Sequence, residues 1–95
     1  MANMPRISSV WVFNGARAHF PSAVFSDRGA ADEWIRQHRL TGTLTKYPVD
    51  LSAYNWAINN GYFTPIKPEH ESPEFIGRFT AAQQEHYHYE SGERD

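Results

Sequence analysis

Apolar residues fall at strand spacing near the start of the chain and at helix spacing soon after it. From Ser8 to Phe13, Trp11 and Phe13 point to one face and Val10 and Val12 to the other. Both sets are apolar, which predicts a central strand covered on both sides. Asn14 and Gly15 follow; both tolerate the positive φ of a type I′ turn, so a two-residue hairpin is expected there. The return strand then runs from about Arg17 to Phe25, with Pro21 removing a ladder donor and marking an edge or a bulge. From Ser26 and Asp27 the period changes. Ala30, Ala31, Trp34, Ile35 and His38 recur at three to four residues, which predicts a helix with these as its buried stripe. Ser26 or Asp27 caps it, Asp32 and Glu33 early and Arg36 and Arg39 late suit its dipole, and Leu40-Thr41-Gly42 ends it.

Alternation returns from Thr43 to Val49, with Thr43, Thr45 and Tyr47 on one face and Leu44 and Lys46 on the other. Asp50 is a good N-cap for a second helix, Leu51 to Asn60, lined by Leu51, Tyr54 and Ile58, and Gly61 is its expected stop. Pro65, Pro68 and Pro73 make residues 62–73 a tight connector. Ser72-Pro73-Glu74 reads as an N-cap, a proline at N1 and an acidic second position, so a short helix is expected from Pro73 to about Gln83. Histidine and tyrosine alternate in the closing strand, Glu85 to Glu90. The expected organisation is a disordered segment 1–7, a single domain 8–90 and a polar tail 91–95. The fold class is α+β, in the order β-β-α-β-α-α-β, with a mostly antiparallel sheet and helices chiefly on one face.

Composition narrows the function classes. A chain of 95 residues, 40% hydrophobic and 21% charged, is one globular domain with one modest core. A net charge of −2 argues against a dedicated nucleic-acid binder, whose footprint is basic. The absence of cysteine excludes disulfides, thiolate metal sites and a cysteine nucleophile. Val10 to Phe13 is too short an apolar run for a signal core or a membrane span, so a cytoplasmic protein is expected. No serine stands in a G-x-S-x-G elbow, and no phosphate loop or dinucleotide fingerprint occurs. Charge is uneven: residues 1–48 carry six basic and three acidic side chains, residues 49–95 three basic and eight acidic. The second half would steer toward a basic partner.

The sharpest chemical cluster is His86, His88 and Glu90. In a strand all three face one way, and two imidazoles with a carboxylate make a metal-ligand set, zinc being one metal it would take. His70 could join if the connector folds back. General acid–base chemistry would draw on His19, His38, Glu85 and Glu90. Single-strand nucleic-acid binding would use Arg17, Arg28, Arg36, Arg39 and Lys46 with Trp34 and Tyr47. Partner binding fits the composition better. Aromatics make up 15% of the chain, and rings left over from the core are the usual anchors of interfaces. Trp11, Trp34 and Trp56 are assigned to the core. Tyr62, Tyr87 and Tyr89 are assigned to a partly exposed partner-binding surface, with Glu69 and Glu71.

The runs Ser22-Ala23-Val24-Phe25-Ser26, Trp34-Ile35, Leu40 to Asp50 (LTGTLTKYPVD), Tyr54-Asn55-Trp56-Ala57, Ser72-Pro73-Glu74-Phe75-Ile76 and Gln84 to Glu90 (QEHYHYE) are distinctive. Over about residues 10–92 the chain resembles a family of short bacterial proteins, an uncharacterised domain. That resemblance implies a shared fold, no established activity and no catalytic residues. The spare aromatics, the acidic second half and the missing catalytic motifs make the expected function a non-enzymatic protein-binding module, an inhibitor or immunity protein that neutralises a bacterial effector. It needs no cofactor and no membrane, and acts as a monomer or homodimer on another, basic protein. The alternative is a metal-binding or small enzymatic domain built on His86, His88 and Glu90.

Overall fold

Five antiparallel strands form one sheet in the order β2-β1-β3-β4-β5, in a computed structural model that describes residues 7–95. Strand β1 (Ser9–Gly15) pairs on one side with β2 (Ala23–Phe25) and on the other with β3 (Gly42–Pro48). Strand β4 (His86–Glu90) pairs with β3, and β5 (Glu93–Arg94) closes the far edge. Helix α1 (Arg28–Gln37) connects β2 to β3. Between β3 and β4 lie α2 (Ala53–Asn59), a 3₁₀ turn at Pro68–Glu71 and α3 (Pro73–Gly77). The fold is the expected α+β, an antiparallel sheet with helices packed against it. The segment expected to be disordered lies outside the described residues, apart from exposed Ile7.

Register decides what each face carries. Phe13, Ala23, Leu44 and Tyr87 stand opposite one another across four strands and so share a face. Helix α1 lays Ala31 and Ile35 on that face, and Phe13, Ile35 and Leu44 become fully buried. The Trp34 ring meets Phe13 edge-on at 5.7 Å, a favoured aromatic arrangement. The opposite face carries Val10, Val12, Val24, Thr43, Thr45, Tyr47, His86 and His88. The principal extents are 45 × 44 × 20 Å. Strand β1 is fully buried only on its Trp11–Phe13 side; on the other side Val10 and Val12 stay partly exposed among the described residues. The remaining helices build a second cluster beside the sheet. There Tyr54, Phe63, Phe75 and Phe79 meet with ring centroids 5.1 to 6.3 Å apart.

Two local signals are met outside the sheet. Asp27 caps α1 by accepting from the Ala30 amide at 2.9 Å. Gly61, at φ 77°, ends α2 in a Schellman motif, with its own amide on the Ile58 carbonyl and the Tyr62 amide on that of Ala57. Asn14 and Gly15 are different. Gly15 pairs with Gly42 and neither residue takes positive φ, so β1 runs straight through the expected turn. Seven paired positions with β3 outweigh a local turn preference, and residues 16–22 make a wider loop instead. The return strand shrinks to three residues after Pro21. The two positive φ values of a type I′ turn appear at Ser91 (50°) and Gly92 (84°), where the expected polar tail turns back as β5.

The helices also depart from expectation in detail. Along α1, Ala30 and His38 are exposed, and Trp34 is half-buried. Helix α2 is capped by Ser52, not Asp50, because Asp50 sits at φ 61° and Leu51 stays outside the helix, exposed. Ser52 accepts from the Asn55 amide at 3.0 Å and donates its hydroxyl to Asn55 Oδ1 at 2.9 Å. Helix α3 stops at Gly77 rather than Gln83, since glycine weakens a helix that buries one short side only. Trp11 is buried as expected, but Trp56 is half-buried like Trp34.

Candidate functional site

Strand β4 splits the His-Tyr segment between the two faces. Tyr87 and Tyr89 turn toward α1, while His86, His88 and Glu90 turn to the open side. Tyr89 is therefore not a surface anchor: it is 3% exposed and part of the core. Its hydroxyl donates to Asp32 Oδ1 at 2.9 Å, so the one polar atom of the ring is satisfied. Tyr87 is half-buried between two guanidinium groups, Arg28 at 5.1 Å and Arg94 at 4.8 Å from its ring centre, and its hydroxyl donates to Glu85. Tyr62 is exposed as expected, stacked on Trp56 at 5.5 Å. Glu69 and Glu71 are exposed on the 3₁₀ turn.

On the open face the His86 and His88 rings stand 5.1 Å apart at right angles. His86 Nδ1 lies 2.8 Å from the Gln84 carbonyl, and His88 Nδ1 lies 3.4 Å from Thr43 Oγ1. Thr43, Thr45, Tyr47, Ala81 and the two histidines line a shallow depression of about 280 Å³. Glu90 does not complete a cluster with them: among the described residues, no three His, Asp or Glu side chains come together as a metal-ligating set. His70 sits in the second cluster, where Nδ1 accepts from the Ile66 and Lys67 amides at 3.2 and 3.3 Å and its ring packs on Phe63. His19 and His38 are exposed, His38 beside Trp34. Two of the cations considered for nucleic acid are engaged within the chain, Arg28 over Tyr87 and Arg36 on Asp32 at 2.7 Å.

Two structural groups escaped the sequence reading. Gln84 is buried, and its Nε2 donates to the Lys46 carbonyl at 3.0 Å while the Lys46 amide donates to the Glu85 carbonyl at 2.9 Å. This pins the connector to β3 and sets where His86 begins its strand. One glutamine of the Gln83-Gln84 pair carries no signal that it is the buried one. The Asp32–Tyr89 pair links positions 57 residues apart, and spacing alone cannot show it.

That pair makes a pH prediction. Burial works to raise the Asp32 carboxyl, but hydrogen bonds from Arg36 and Tyr89 and the charges of Arg36 and Arg94 outweigh it and hold the group below its ordinary 3.8. Burial, then the hydrogen bond to Asp32, pushes the Tyr89 phenol up from 10.0 to about 12. A carboxylate lowered by folding stabilises above 3.8, and that contribution is lost as pH falls through the lower folded value. A phenol raised by folding stabilises below pH 10, and its contribution is lost as pH rises toward about 12. Tyr89→Phe is expected to lower stability by about 1 kcal/mol at neutral pH and to flatten both flanks of the profile. Urea denaturation across pH measures both effects. A profile unchanged in the variant would mean that the hydrogen bond contributes nothing.

The sheet, the helix packed on it and the paired imidazoles define a small α+β domain whose other sheet face stays partly exposed among the described residues. Residues 10–95 match the family described as a domain of unknown function (DUF7710), and the chain belongs to that family. No curated protein matches the chain, and no solved structure matches it. No helix among the described residues is long and apolar enough to cross a membrane.

Proposed function

We propose that the domain is a protein-binding module that neutralises a basic partner, as an inhibitor or immunity protein would, through the uncovered face of its sheet. The observation that supports this is the exposure left, among the described residues, on the sheet face opposite α1. Val24 is 62% exposed, and Val10, Val12, Thr45 and Tyr47 are only half-buried on a rigid five-stranded platform. A sheet face of mixed valine, threonine and aromatic residues offers apolar contact with little ordering cost. Its far corner is acidic, since Glu90 pairs with Glu93 on this face and Asp95 follows. Acidic groups at the rim favour encounter with a basic surface.

The test is affinity capture by the full chain from its native source, run beside two face variants, Val12→Glu and Thr45→Arg. Both positions keep some exposure and neither belongs to the buried core, and circular dichroism of each variant checks that it is folded before its capture is compared. One stoichiometric partner, released by salt and lost with either variant, supports the reading. Activity of that partner falling on binding would establish inhibition. A partner retained equally by both variants, or no partner in repeated captures, overturns it.

A further inference from the structure

We propose that His86 and His88 form a two-histidine site for a divalent transition-metal ion, with copper(II) bound more tightly than zinc. This inference does not rest on the protein-binding reading.

Ring separation is the first support. Two imidazoles that share one metal through Nε2, at 2.0–2.1 Å and at angles between square-planar and tetrahedral, have centroids about 4.5 to 5.3 Å apart. The observed separation of 5.1 Å falls inside that window before any metal is added. The strand register holds both rings there, because β4 is paired with β3 through both histidines, Thr43 with His88 and Thr45 with His86.

Orientation is the second. A backbone carbonyl can only accept, so the contact of 2.8 Å between His86 Nδ1 and the Gln84 carbonyl puts the proton on Nδ1 and the free lone pair on Nε2. An imidazole that donates one N–H to a carbonyl and offers its other nitrogen is the usual form of a metal-ligating histidine. The carbonyl is itself fixed, since Gln84 is buried and bonded to Lys46. Thr43 Oγ1, 3.4 Å from His88 Nδ1, can accept in the same way.

Charge is the third. Glu90 and Glu93 pair beyond His88 on the same face, and the Asp95 amide bonds the His88 carbonyl at 3.0 Å, which brings a third carboxylate to that corner. The strand cations lie on the other face: Lys46 is paired with Trp11, and Arg94 covers Tyr87. These carboxylates are not ligands; they make the local potential negative. The depression beside the rings leaves room for water to fill the other coordination positions. With nitrogen donors and no thiolate, copper(II) should exceed zinc in affinity.

The experiment is titration of the tag-free full chain with copper(II) and with zinc, followed by calorimetry and by NMR of the histidine rings. Saturable uptake of one ion per chain is expected, with the His86 and His88 ring signals broadened by copper before those of His19, His38 and His70. His86→Ala and His88→Ala should each weaken uptake by more than about tenfold, and Glu90→Gln by less than about threefold. The NMR result on the unmodified chain stands even if a histidine variant fails to fold. No saturable uptake, uptake that both histidine variants retain, or first broadening at another histidine overturns the proposal.

Discussion

Gly42→Ala is expected to remove about 3 kcal/mol of stability, a large part of the total for a domain this size. Gly42 opens β3 and is flanked on both sides, by Gly15 of β1 and Tyr89 of β4. A methyl group there would collide with the Asn14 carbonyl oxygen, and would stand 2.8 Å from Phe13 Cζ and 2.9 Å from Gly15 Cα. Two of these neighbours are backbone atoms held in the ladder, so neither can turn away as a flexible side chain would. The strands must separate or β3 must lose its first pair. Gly77→Ala serves as the control, because a methyl at Gly77 meets nothing within 4 Å. It should be neutral or stabilising by about 0.5 kcal/mol, as alanine orders a helix better than glycine. Urea denaturation of both variants measures the difference. Equal midpoints would mean that β1 and β3 do not approach each other at Gly42 as described.

The same glycine pair shows what the sequence could and could not disclose. Asn14 and Gly15 carry a strong local turn signal, yet both stay in the ladder, Gly15 as the last paired residue of β1, and the glycine that the close approach requires is Gly42 opposite it. Local chemistry gives what a residue tolerates; the ladder chooses among the things tolerated. Caps are legible at the Ser26-Asp27 pair, of which Asp27 is the one that serves, and at Ser72, because each side chain reaches an amide three residues on in the same chain segment. The alternation of His86-Tyr87-His88-Tyr89 was legible too, but not which set faces inward. That depends on register against β3, fixed by Leu44 opposite Tyr87 and by Gln84 on the Lys46 carbonyl. Hence Tyr89, which alternation alone leaves free to face either way, lies in the core, and the histidines lie on the open side. Ser91 and Gly92 form a hairpin turn that polarity alone presented as a tail. Packing explains this one. The Gly92 amide bonds the Leu40 carbonyl at 2.9 Å, and a Cβ at Gly92 would stand 3.0 Å from Arg39 Cα, so the turn is seated on the end of α1.

Phe13→Ala should cost about 3 to 5 kcal/mol, while Val24→Ala should change stability by less than about 0.5 kcal/mol. The two positions lie on adjacent strands, one residue out of register, and so on opposite faces. Phe13 is 2% exposed, packed against Trp34 and under α1 with Leu44 beside it. Truncation there loses the ring's burial and leaves a cavity between sheet and helix that neither can close. Val24 is 62% exposed, so little packs over it among the described residues. The contrast measures the asymmetry on which both functional readings depend. If Val24→Ala, or Val12→Ala beside it, approached the cost of Phe13→Ala, the second face would be buried in solution, by another copy or by the α2–α3 region. Neither a partner nor a metal ion could then reach it. If the contrast holds, the sheet is stabilised from one side alone. Substitutions around His86, His88 and Thr45 can then be read as effects on binding, because the fold does not draw its core from that face.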